Sequence, residues 1–360
     1  MEFFSTRHKK TIVYGGAFCI VLVLVTMIQV NQLRPRWCQS ASTASVHTFA
    51  DSRPWISNTT LHAEKLWKQG KGYLWLQHLR KGDGTKLCSV LIENTVGMIR
   101  KNAHFQVLAP NKYPNCQMSD FCDHCNLKED YPNPPELASQ VRQNLDRVGR
   151  NYFEAKYFGG PPDIWADYWS DFVFITTLRH PLGRIESVFR RDSAYNKCIG
   201  DDEDSVRECL RSNFLDTDNM ILDVCDQNPN LCISNYLIRT FSGHENNFTT
   251  PGAILDRAKT NFKRYSCVVL QESWDSTDSC LGERLGLYQK YPKGHAFLKE
   301  ERKKLSKDQG VTIDDSVERL QHWLGSEMYD RLVRLNQADL EFYEWAKKQI
   351  LTASESDDSY

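Results

Sequence analysis

Short apolar runs alternate along this chain with segments whose apolar positions recur every three to four residues. Tyr73, Leu74, Trp75 and Leu76 form a run suited to a buried strand, and Leu87, Val90, Leu91, Asn94 and Met98 follow at helical spacing. Phe172 to Thr177 is a second run, β-branched and aromatic. Pro181 then falls at an expected first helical turn, and Ile185, Val188 and Phe189 continue at helical spacing. Strands alternating with helices predict an α/β domain with a central parallel sheet flanked by helices.

The loop after the first run carries chemistry. Lys81-Gly82-Asp83-Gly84-Thr85-Lys86 joins a strand to a helix, an arrangement that turns backbone N–H groups and a helix N-terminus toward an anion. A phosphate or a sulfate is the expected ligand. The nucleotide-triphosphatase loop requires four residues between its first glycine and Gly-Lys-Ser/Thr, and neither Gly82 nor Gly84 meets that spacing.

The N-terminal pattern is different. Residues Thr11–Val30 carry no charge, and about 20 such residues suffice to cross a bilayer as a helix. Small residues at Ser40–Ser45 would suit cleavage, but the apolar stretch exceeds the roughly 7–15 residues of a signal-peptide core, which favours an uncleaved anchor. Arg7, Lys9 and Lys10 place residues 1–10 in the cytoplasm, although Arg34 and Arg36 reduce the asymmetry. Residues 31–65 are polar, rich in Ser and Thr and without periodicity, as in a stem. The folded domain is expected over residues 66–350, followed by a frayed acidic tail over 351–360.

Composition narrows the class. Of 360 residues, 41% are hydrophobic and 25% charged, which suits a globular domain with a core. A net charge of −1 argues against a general nucleic-acid binder, so any anion site must be local. Of twelve cysteines, Cys19 lies in the apolar span, Cys38 just after it and ten beyond, and such usage behind a membrane anchor reads as disulfides in an oxidising lumen. The glycosylation acceptor triplets at Asn58 and Asn247 agree. Cys116, Cys122, His124 and Cys125 have spacing that admits zinc, but such a lumen favours disulfides, and no metal is expected.

The stretch Tyr73–Cys88 resembles the 5′-phosphosulfate loop of Golgi membrane-bound carbohydrate sulfotransferases, in which His-hydrophobic-x-Lys leads through a glycine-bearing turn into a helix. His78, Leu79, Lys81, Gly84 and Thr85 fit; Asp83 and Lys86 depart. Leu178, Arg179, Pro181, Arg184 and Ser187 match the family's 3′-phosphate motif, with His180 in place of its usual Asp or Asn. Asn235 through Arg239 to Gly243, Val268 through Glu272 to Gly286, and Asn336 through Asp339 and Tyr343 resemble three later segments in the family's order.

This resemblance implies a sheet related to that of nucleotide kinases, and 3′-phosphoadenosine 5′-phosphosulfate as sulfuryl donor. Lys81, Gly82, Gly84, Thr85 and Lys86 would hold its phosphosulfate, Arg179 and Ser187 its 3′-phosphate, and Arg239 would border the site. Lys81 would also stabilise charge on the leaving oxygen. The resemblance places a general base between the two motifs; Glu154 is the first choice, with His104 and His124 competing. Trp165, Tyr168 and Trp169 could stack on sugar rings or pack in the core. The implied protein is a type II Golgi membrane enzyme with its catalytic domain in the lumen, a carbohydrate acceptor and a homodimer among its assembly states.

Two other readings compete. Asp202-Glu203-Asp204 has the Asp-x-Asp spacing of a metal-dependent Golgi glycosyltransferase, within an acidic run that surface loops readily produce. The departures at Asp83 and His180 would also suit a membrane-tethered binding protein that has lost catalysis. The basic run from Lys290 through Lys307 suits a solvated helix face or an acidic ligand.

Overall fold

The computed structural model describes residues 56–82, 133–147, 151–156, 163–192, 202–215, 232–243, 251–290 and 312–357, with a few single positions between them. All belong to the unit that runs from Ser52 to Tyr360. The expected cytoplasmic tail, membrane span and most of the stem lie outside the described residues, as do Gly84, Thr85, Lys86, His104, His124, Asn247, the cluster from Cys116 to Cys125 and nearly all of the basic run after Lys290. No described helix is long and apolar enough to cross a membrane.

Four parallel strands form the centre: β1 (Tyr73–His78), β2 (Tyr152–Lys156), β3 (Phe172–Leu178) and β4 (Tyr265–Leu270). Their order across the sheet is β2-β1-β3-β4. β1 and β3 read as continuous apolar runs because both faces of each are covered, the usual condition of an inner parallel strand. Leu74, Leu76, Val173 and Ile175 bury one face with Ala63 and Trp67 of helix α1 (Asn58–Lys68). Trp75, Phe172 and Phe174 bury the other face. There they meet α2 (Pro134–Arg147), α5 (Tyr236–Ser242), α6 (Pro251–Phe262) and α8 (Gln337–Asp357). Fully burying one such large side chain contributes about 1.5–3 kcal/mol. A third cluster joins α3 (Pro181–Arg191), α4 (Glu203–Leu210) and α7 (Ile313–Leu335) through Ile185, Phe189, Leu210 and Leu320.

Chain order and sheet order together fix where a ligand can sit. From β1 the chain moves to the β2 edge, then returns past β1 to β3 and on to β4. The direction of winding reverses between β1 and β3. In open parallel sheets the loops diverge at such a reversal and leave a crevice at the C-terminal strand ends. The loops that border it here follow His78 and Leu178.

The folded domain begins earlier than expected. Ser57 caps α1 by accepting a hydrogen bond from Thr60 N, and Trp67 at its far end is 2% exposed. Residues 58–65 therefore belong to the folded domain rather than to a stem, with Thr60, Ala63 and Glu64 buried. At the other end α8 continues to Asp357, so most of the expected frayed tail is helical, with Ile350 buried in its last turns. Among the described residues, three disulfides, Cys198–Cys209, Cys225–Cys232 and Cys267–Cys280, tie the second half of the chain.

Candidate anion-binding site

The turn after β1 is held at three backbone points. Gly82 N donates to Leu79 O at 3.1 Å, Arg80 N donates to the Tyr236 hydroxyl at 3.0 Å, and Lys81 O accepts from Arg179 Nη1 at 3.3 Å. Lys81 itself has φ 59°, a left-handed conformation that non-glycine residues seldom adopt and that surrounding contacts must maintain. Gly82 allows the tight closure, because a Cβ there would stand 3.1 Å from Leu79 Cβ.

Basic side chains gather at this turn. Burial holds the Lys81 ammonium below the usual lysine range; Arg80, Arg191 and, more weakly, Arg179 add to the effect, and Asp192 opposes it. Asp192 is in turn ion-paired with Arg80. The N-terminus of α3, with its partial positive charge, opens at the same strand edge. A half-buried lysine among three guanidinium groups is a place that an anion would neutralise.

The second strand–loop–helix unit supplies Arg179. Its guanidinium passes over the first turn of α3, where a Cβ on Gly183 would lie 3.2 Å from Nε. His180 caps α3: Nδ1 accepts from Leu182 N at 3.3 Å, which requires a neutral ring. Burial, followed by Lys347 and Arg179, lowers its pKa to about 4, so the ring is neutral at ordinary pH. The position calls for an N-cap acceptor, and neutral imidazole serves. Glu272, just past β4, accepts from His180 N at 2.8 Å and from the Tyr343 hydroxyl at 3.0 Å, locking the loop to α8.

Beneath the crevice, Asn336 and Asp339 hold α5. Asp339 is fully buried and accepts from Leu237 N at 2.9 Å and Ile238 N at 2.8 Å, while Asn336 Oδ1 accepts from Asn235 N at 2.9 Å. Burial raises Asp339 to about 6 against the pull of those N–H groups, Arg184 and Arg239. Arg239 is thus a buried neighbour of Asp339.

The remaining candidates fall in different places. Ser187 is buried on α3, eight residues beyond Arg179. Glu154 lies on β2 opposite Leu76, two residues before the strand ends at Lys156, so its segment is an edge strand and not a helix. Trp169 is a correction: it is fully buried against Trp75 and Phe172 at the N-terminal end of β3, so it is core and cannot meet an acceptor. Tyr168 packs beside it, its hydroxyl near Asp163, at the end of the sheet remote from the crevice. Trp165 is 37% exposed and donates to Asn261 Oδ1 at 3.2 Å, close to the end of α6 rather than to Lys81. Asp202 caps α4 and Asp204 pairs with Arg207 at 3.1 Å, roles that account for the acidic triplet without a metal. Asn58 is exposed on the first turn of α1.

Sequence reasoning missed Asp192 and Tyr236. No local pattern marks either, because each gains its role only when α3 and α5 pack beside the loop after β1. No protein-family model, curated protein or solved structure matches the chain.

Proposed function

We propose that this chain is a sulfotransferase that moves a sulfuryl group from 3′-phosphoadenosine 5′-phosphosulfate to a hydroxyl of a carbohydrate. The observation that carries the reading is the turn at Lys81: a left-handed, half-buried lysine at a topological reversal, surrounded by Arg80, Arg179 and Arg191. The donor has anionic groups at both ends, and the loops that follow β1 and β3 each bring a cation to the crevice, Lys81 and Arg179.

Lys81 would stabilise charge on the oxygen that leaves toward the 5′-phosphate. Arg179 would grip the 3′-phosphate, for which a planar guanidinium offers two parallel donors. Glu154 would take the proton from the acceptor hydroxyl as its oxygen forms the new bond to sulfur and the old sulfur–oxygen bond breaks. Three disulfides accord with a luminal domain, and residues 11–30 would anchor it in the Golgi membrane as a type II protein.

The test is transfer of labelled sulfuryl from the donor to a panel of glycans. Glu154→Ala is expected to retain donor binding while turnover falls at least about a hundredfold, the usual contribution of general acid–base catalysis. Unchanged turnover would remove Glu154 from the mechanism, and no transfer to any hydroxyl-bearing acceptor by the wild type would leave only a binding protein.

A further inference from the structure

Arg184 stands beside the candidate site without being assigned to it. It is 1% exposed, its guanidinium carbon sits 4.2 Å above the centre of the Tyr236 ring, and Nη2 donates to Cys232 O at 2.7 Å. Nε and Nη1 find no hydrogen-bond partner among the described residues, so the stack and one bond do most of the holding. Tyr236, Asp339 and Tyr195 support its charge electrostatically. The phenol under it accepts the Arg80 N–H at 3.0 Å, immediately before the left-handed Lys81.

We infer that Arg184 is a positioning residue that sets the anion loop through Tyr236: the stacked guanidinium fixes the phenol, the hydroxyl fixes the Arg80 amide, and that amide keeps Lys81 in its left-handed turn. The inference rests on the donor-binding reading above and specifies how the loop is preorganised. A non-glycine residue at positive φ relaxes toward ordinary backbone angles when a restraining contact is lost. Relaxation would carry the ammonium away from Arg179, Arg191 and Asp192 and out of its half-buried position. A planar guanidinium can lie flat on the phenol and donate to Cys232 O at the same time, so lysine at position 184 keeps the charge but loses the planar stack.

The experiment uses the full chain and the variants Tyr236→Phe, Arg184→Lys and the double variant, all mild enough to keep the core filled. Three quantities are measured: affinity for 3′-phosphoadenosine 5′-phosphate, the pH dependence of that affinity, and hydrogen exchange of the Arg80 amide in the absence of ligand. Each single variant is expected to weaken binding about tenfold and to speed Arg80 exchange. The alkaline limb of binding, where Lys81 loses its proton, should move to higher pH as the ammonium becomes more exposed. The double variant should bind no more weakly than the weaker single one, because both act through one contact. Equal exchange at Arg80 in wild type and Tyr236→Phe would overturn the inference whether or not the nucleotide binds. Additive losses in the double variant, or an unmoved pH limb beside weakened binding, would also overturn it. Failure of the wild type to bind the nucleotide would instead count against the donor reading, and the exchange result would still decide the role of Arg184.

Discussion

His180 illustrates how one side chain can satisfy a position through different chemistry. A carboxylate would cap α3 at any pH above its own low pKa, whereas imidazole does so only while neutral. The folded-state pKa near 4 lies below the ordinary value of 6.5. The unfolded chain therefore binds more protons between those values, and the stability His180 supplies is complete above pH 6.5 and declines as pH falls toward 4. His180→Asn, a neutral cap that does not titrate, should show a smaller loss of thermal midpoint between pH 7 and 4.5 than the wild type; equal losses would mean that His180 is not the group responsible.

Gly183 separates stability from binding at the same site. Alanine is favoured over glycine inside a helix by about 0.5–1 kcal/mol, yet its Cβ would press on Arg179 Nε from 3.2 Å. Gly183→Ala is expected to leave the thermal midpoint level or higher while nucleotide affinity drops several-fold. A midpoint that falls with affinity unchanged would show that Arg179 yields without leaving the site.

At the scale of elements, the Asn336–Asp339 pair does work that length and propensity cannot. α5 has seven residues, too few to persist alone, and its first N–H groups are satisfied by Asp339 from α8. Asp339→Ala should lower stability by about 2–4 kcal/mol in denaturant titration, since it strands two buried donors. A change below about 1 kcal/mol would mean that water replaces the carboxylate.

The same scale shows what the sequence made legible. β1 and β3 were readable because inner parallel strands are apolar on both faces, and α3 because Pro181 marks its first turn. β2 was not, since an edge strand of five residues with Glu154 and Lys156 in it lacks an unbroken apolar run. α1 was hidden by its Ser- and Thr-rich start, although Ser57 is an ordinary N-cap. The aromatic cluster around Trp169 could have faced a sugar or the core; burial decides for the core.

For the whole molecule, Lys81 and Arg179 were legible as candidates because each follows an apolar strand run, and the structure places both in loops at the C-terminal strand ends. Their surroundings were not, because Asp192, Tyr236 and Asp339 all act across more than a hundred positions of chain, through the Arg80–Asp192, Arg80–Tyr236 and Leu237–Asp339 bonds, separated by 112, 156 and 102 residues. A fragment for solution work should start at Ser52, so that the Ser57 cap and α1 are kept. The most direct measurement is calorimetric titration of that fragment with 3′-phosphoadenosine 5′-phosphate, comparing the wild type with Arg179→Ala and Lys81→Ala. The expected result is wild-type binding in the micromolar range that falls at least about tenfold in each variant while both remain folded. A folded wild-type protein that binds no nucleotide, or binds it equally well without Arg179 and Lys81, would contradict the donor site.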